Sequence, residues 1–156
     1  MKLSFKILAF LFVALAFASC GKKTLIDETC NFDNNCWLRF EPAEFKVPVN
    51  DTENSNIVTV TMRYDTSMLE GEALPLVVNF FIDSSELHNF TPAIRLRDKK
   101  GHLRGQLLGK YCIVTDTIDR IRTYNSKGLY TYQIKQGTSK YELYGVTSLN
   151  LKIVEN

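Results

Sequence analysis

The chain downstream of Cys20 reads as an all-β domain, an antiparallel β-sandwich of about eight or nine strands. Three observations predict it. Apolar residues recur with a period of two, most cleanly over 57–64. Polar turn clusters, two of them containing glycine, interrupt the alternation at 50–55, 98–102 and 125–128. No stretch of roughly ten or more residues after Cys20 places its apolar side chains at helical spacing.

The first residues follow a different logic. Met1, Lys2 and Lys6 precede an apolar run, 7–17, that carries no charge, and the small pair Ala18-Ser19 leads directly to Cys20. These are the charged, apolar and cleavage regions of a secretory signal. A run of about eleven residues falls short of the roughly twenty that span a bilayer. A cysteine behind a small pair resembles the lipobox of a lipoprotein signal, with Phe17 where an aliphatic residue is usual. That resemblance implies diacylation of Cys20 on sulfur, cleavage before it and a further acyl chain on its amine. The alternative, an ordinary secretory signal, leaves Cys20 as an exposed and reactive thiol. The expected organisation is a signal peptide over 1–19, a lipidated flexible tether over 20–35 and the folded domain over 36–156.

Cleavage changes the charge balance. Loss of Lys2 and Lys6 takes the 19 basic residues to 17, equal to the 17 acidic ones, so the formal +2 belongs to the leader alone. A nearly neutral domain lacks the basic excess that nucleic acid requires. Beyond Cys20 the cysteines are Cys30, Cys36 and Cys112, an odd number for an oxidising compartment. Cys30 and Cys36 bracket the polar loop Asn31-Phe32-Asp33-Asn34-Asn35, which either brings them together as a disulfide or leaves two thiols. Cys112 lies in Tyr111-Cys112-Ile113-Val114 and reads as a small buried hydrophobe. No Cys-x-x-Cys pair occurs and the only histidines are His88 and His102, so no zinc site is expected.

Within the domain, Trp37 and Phe40 open the first strand, and Phe45, Val47 and Val49 share a face of the next, where Pro48 marks an edge. After the turn at 50–55, Val58, Val60, Met62 and Tyr64 face inward, with Thr59, Thr61 and Arg63 outward. The stretch 74–83 is apolar on both faces, which predicts a central or partly covered strand. A polar connection over 84–89 leads to Ala93-Ile94-Arg95-Leu96-Arg97, a turn at Gly101 and a return over 103–114. Gly105 and Gly109 there predict a bulge or close approach of another segment. Strands over 117–124, 129–135 and 141–154 complete the chain, with a bulge expected at Gly145.

The order of these features resembles the gliding-motility lipoprotein GldH family of the Bacteroidota. The resemblance rests on Trp37 with Phe40, Val60-Thr61-Met62-Arg63, Leu96-Arg97-Asp98 followed by Gly101 and Gly105, Gly128-Leu129-Tyr130 with Gln133, and Leu143-Tyr144-Gly145-Val146 leading to Leu149, Leu151 and Ile153. It implies a small envelope lipoprotein that supports the gliding machinery and the linked type IX secretion apparatus, without catalysis or cofactor. Surface-displayed lipoproteins of that lineage carry an acidic run behind the lipidated cysteine. This chain has Gly21-Lys22-Lys23-Thr24, which points to the outer membrane, facing the periplasm.

No nucleophile motif, phosphate loop or dinucleotide fingerprint is present. Two surfaces stand out instead. Arg95 and Arg97 alternate onto one face and combine with Lys99, Lys100, His102 and Arg104 into a basic hairpin, a docking face for an acidic partner or for lipid phosphates, or simply a charged hairpin that resists edge pairing. Tyr130, Tyr132, Tyr141 and Tyr144 form either half-buried strand packing or a platform for a glycan or peptide. Expected partners are therefore the membrane, through the lipid, and envelope proteins.

Overall fold

The computed structural model describes residues 22–83 and 85–156, so the leader and Cys20 lie outside the described residues. The expected all-β sandwich is what forms. In chain order its strands are β1 (Thr24–Asn31), β2 (Cys36–Leu38), β3 (Ala43–Val49), β4 (Asn56–Asp65), β5 (Ala73–Ile82), β6 (Ser85–Phe90), β7 (Ala93–Arg95), β8 (Gln106–Leu108), β9 (Tyr111–Arg122), β10 (Gly128–Gln136), β11 (Glu142–Tyr144) and β12 (Val146–Glu155). One sheet runs β1-β12-β4-β9-β8. The second runs β3-β10-β5-β6, with β7 also paired to β5, and β2 with β11 makes a small two-stranded sheet.

The core lies between the two large sheets and follows the alternation. Val58, Val60, Met62 and Tyr64 of β4 are fully buried, as are Val47 of β3, Leu76 and Val78 of β5 and Ile134 of β10. Each large aliphatic or aromatic side chain taken from water contributes about 2 kcal/mol before chain entropy is counted. On the outer face of the first sheet, the hydroxyls of Thr61 and Thr115 meet across β4 and β9 at 2.8 Å. Pro48 sits on β3, which pairs with β10 alone and is therefore an edge, as a missing N–H requires.

The structure corrects the sequence reading in three places. Within the stretch expected as a tether, residues 24–31 form β1, which pairs along β12 from Thr24 opposite Val154 to Asn31 opposite Ser148. As an edge strand it buries only Ile26, so no alternation betrays it. The polar connection after β5 contains β6, whose register follows β5 from Ile82 opposite Ser85 to Val78 opposite Phe90. The return expected as one strand over 103–114 is split into β8 and the start of β9, which then continues unbroken to Arg122.

Two glycines do what the backbone demands. Gly105 has φ +92, and a Cβ there would collide with the Ile113 carbonyl. Gly145, at φ +94 between β11 and β12, lies where a Cβ would come within 2.7 Å of Met68 Cβ. Its carbonyl accepts the Asp65 N–H at 2.7 Å and its own N–H donates to the Asn35 carbonyl at 2.8 Å. It thus ties β4, β12 and the 33–35 turn together.

The pairing also gives the sandwich two unlike ends. The N-terminal approach at Lys23, whose carbonyl accepts the Glu155 N–H, shares one end with the 50–55 and 123–127 connections and the C-terminus. The β1-to-β2 turn, β2, β11 and the 66–72 connection lie at the other.

Candidate docking surfaces at the far end

Trp37 organises the far end. It is fully buried, its ring stacks on Phe32 at 4.7 Å, and its indole N–H donates to the Glu41 carbonyl at 3.1 Å. With Leu143 it faces the core, and the pairing of Trp37 opposite Leu143 puts Cys36, Leu38, Glu142 and Tyr144 on the outward side of the small sheet. That side forms one wall of a cleft of about 510 Å³; Cys30 and the 31–34 turn, with Glu41 and Pro42, form the rest. Asn34 and Asn35 hold φ of 54 and 52 to make the turn, a conformation that asparagine tolerates better than most side chains.

The cleft is negative. Asp33, Glu41 and Glu142 line it, and no lysine, arginine or histidine does. Among the described residues none of these three carboxylates takes part in an ion pair within 4 Å. The Tyr144 hydroxyl donates to Glu142 at 2.7 Å. Their field reaches Cys36, whose thiol is pushed up by burial, then by Glu142 and less by Glu41, against a hydrogen bond from Leu143. Cys30 lies on the same cleft, and burial raises its thiol too. Cys30 and Cys36 stand as separate thiols, and Cys112 is free and buried, with its Sγ against the Arg104 carbonyl at 3.0 Å.

The basic hairpin is tied to β9 at Arg95 and Arg104, while its Arg97, Lys99 and Lys100 take part in no ion pair among the described residues. Ile94 and Leu96 point into the core, which puts Arg95 and Arg97 on the outward side as the alternation predicts. The Arg95 N–H donates to Asp116 Oδ2 at 2.6 Å and its guanidinium lies 3.4 Å from Oδ1. Arg104 completes the arrangement at 2.8 Å from Oδ2. Burial pushes the Asp116 carboxyl upward, but the Arg104 and Arg95 hydrogen bonds outweigh it and hold it below the usual value. Arg97 donates to the Gly101 carbonyl at 2.9 Å. Asp98 accepts the Lys100 and His102 N–H groups and closes the turn.

The tyrosines divide. Tyr130 and Tyr132 are buried, the first donating to the Ser126 carbonyl at 2.9 Å and the second sharing a 3.0 Å contact with the Tyr124 hydroxyl. Burial pushes Tyr124 up to about 12. They cannot serve as an exposed platform. Tyr141 and Tyr144 are exposed, and Tyr141 lies 5.9 Å from the exposed Phe40 ring. The sequence reading missed the cleft because its carboxylates are scattered over Asp33, Glu41 and Glu142. The only signal was Trp37, a large side chain with a polar tip beside a polar turn.

Among the described residues no group of three or more His, Cys, Asp or Glu is placed to hold a metal ion, and no helix is long and apolar enough to cross a membrane. The fold is that of a small all-β sandwich domain. The chain belongs to the GldH lipoprotein family, whose model matches residues 24–153. The match begins at the first residue of β1, which is therefore part of the family's domain and not a linker to it. No curated protein matches the chain. Membership of a lipoprotein family supports attachment in the cell envelope through a lipid.

Proposed function

We propose that this protein is a non-catalytic interaction component of the envelope, anchored through lipid on Cys20 in the outer membrane and facing the periplasm, where it supports gliding and type IX secretion. The observation that carries this reading is the family match over nearly the whole folded domain, downstream of the lipobox-like Ala18-Ser19-Cys20. Acyl chains, at about 0.8 kcal/mol per buried methylene, supply the membrane affinity, and Lys22 and Lys23 add little beside them. A sandwich hosts many unrelated functions, so the role rests on the family and on the surfaces, not on the fold.

Two experiments test it. Metabolic labelling with a fatty-acid analogue should mark the wild type and not Cys20→Ala, and the variant should leave the membrane fraction. A Cys20→Ala protein that still sediments with membranes would refute the anchor. Deletion in a host that glides and exports by the type IX route should impair both; undisturbed gliding and export would remove the functional reading. The glycan-platform alternative loses Tyr130 and Tyr132 to the core and retains only the exposed pair at the far end.

A further inference from the structure

We propose that the far-end cleft takes a lysine or arginine side chain from an extended segment of a partner protein. The anchor reading adds only that this end faces away from the membrane; the binding itself does not depend on it.

Three features point to that occupant. The first is charge complementarity. Asp33, Glu41 and Glu142 line one cavity with no cation among its lining residues and no ion pair of their own, whereas Asp27, Asp65 and Asp116 each have one. The second is the chemistry of the wall. Leu38 and Tyr144 offer apolar and aromatic surface beside the carboxylates. A lysine or arginine lays its methylene stem on such surface and carries its charge to the acidic rim, and a ring face adds attraction for a cation. A bare metal ion would need a chelating group, which the described residues do not provide here. The third is extent. Phe40 is 70% and Tyr141 59% exposed; next in sequence to the lining residues Glu41 and Glu142 but outside the lining itself, they form a ring pair whose Phe40 ring has the Arg39 guanidinium at 5.8 Å. They can cover an apolar neighbour of the inserted cation, as aromatic anchors do at protein interfaces, and a free polyamine has no use for that contact.

The two native thiols on the cleft make the test direct. The full-length protein in detergent is treated with a cationic and with an anionic methanethiosulfonate of matched size, and modification at Cys30 and Cys36 is read by mass spectrometry. The preference for the cationic reagent should exceed that of a free thiol such as β-mercaptoethanol about tenfold, through attraction by the cleft's field. Glu41→Gln with Glu142→Gln should remove most of that preference. The peptide acetyl-Phe-Lys-Phe-Lys-amide should slow alkylation of both thiols at least threefold, and its glutamate counterpart should not. Spermidine should protect less than the lysine peptide.

A preference on the wild type no larger than that of the free thiol overturns the proposal without any variant. So do equal protection by the lysine and glutamate peptides, or protection that survives the double substitution. If spermidine protects as well as the peptide, the site takes simple polyamines and the assignment to a protein segment fails. None of these readouts depends on lipid, whereas loss of acyl labelling leaves them intact, so the two proposals fail separately.

Discussion

Asp116 and the carboxylates around Cys36 sit on the same small domain and are treated in opposite ways. Asp116 is nearly buried and surrounded by the Arg95 N–H, the Arg95 guanidinium and Arg104. Asp33, Glu41 and Glu142 are exposed around a cavity that contains no counter-charge. The first arrangement consumes its own charge to pin the hairpin onto β9. The second leaves charge available for something outside the molecule. The difference separates a carboxylate already matched by cations from carboxylates that have none, although in the sequence the arginines are the more conspicuous charges.

The sharpest break in that comparison comes from removing what holds the cleft together. Trp37→Ala should cost about 3–5 kcal/mol in chemical denaturation, because a fully buried indole leaves a cavity and frees both Phe32 and Glu41. A cost under 1 kcal/mol would mean that the far end collapses without it. Next in size, Asp116→Ala should cost about 2 kcal/mol by the same measurement, since it strands the Arg95 N–H and the partly covered Arg104. Arg95→Ala with Arg97→Ala should cost less, about 0.5 kcal/mol, because the Arg95 N–H bond survives and the Arg95 side chain is mostly exposed.

Acid offers a further contrast. Asp65, held by Ser67 and then Lys110, is lowered to about 2. Its folded value lies below its unfolded one, so its contribution is complete above an unfolded value of about 4 and disappears as pH falls toward 2. Thermal melts of the wild type should fall across that window, and Asp65→Asn should flatten the part of the fall due to this group. The smallest expected effect on stability is that of Glu41→Gln with Glu142→Gln. These exposed carboxylates hold nothing in ion pairs, and the melting temperature should stay within about a degree of wild type.

How much of this was legible in the chain follows from burial. β4 declared itself because each of Val58, Val60, Met62 and Tyr64 faces the core while the residues between them face water. Leu74, Leu76, Val78 and Phe80 on β5 did the same, and its apolar second face fitted a strand flanked on both sides. β1 stayed hidden because backbone pairing and polar contacts hold it, such as Lys152 with Asp27 at 2.9 Å, and these leave no period in hydropathy. The short strands β2, β7, β8 and β11, at three residues each, raise the count past the expected eight or nine for the same reason. Of the site, Arg95 and Arg97 were visible as a charge run, but their partner Asp116 lies twenty-one positions from Arg95 in sequence. The cleft's carboxylates are brought together only when β11 pairs with β2.

One measurement decides which surface works. In a gliding host lacking its own copy, membrane-bound Glu41→Gln with Glu142→Gln should fail to restore gliding, while Arg95→Ala with Arg97→Ala should restore it. Restoration by the glutamine variant and failure of the arginine variant, both stably present in the membrane fraction, would contradict the account.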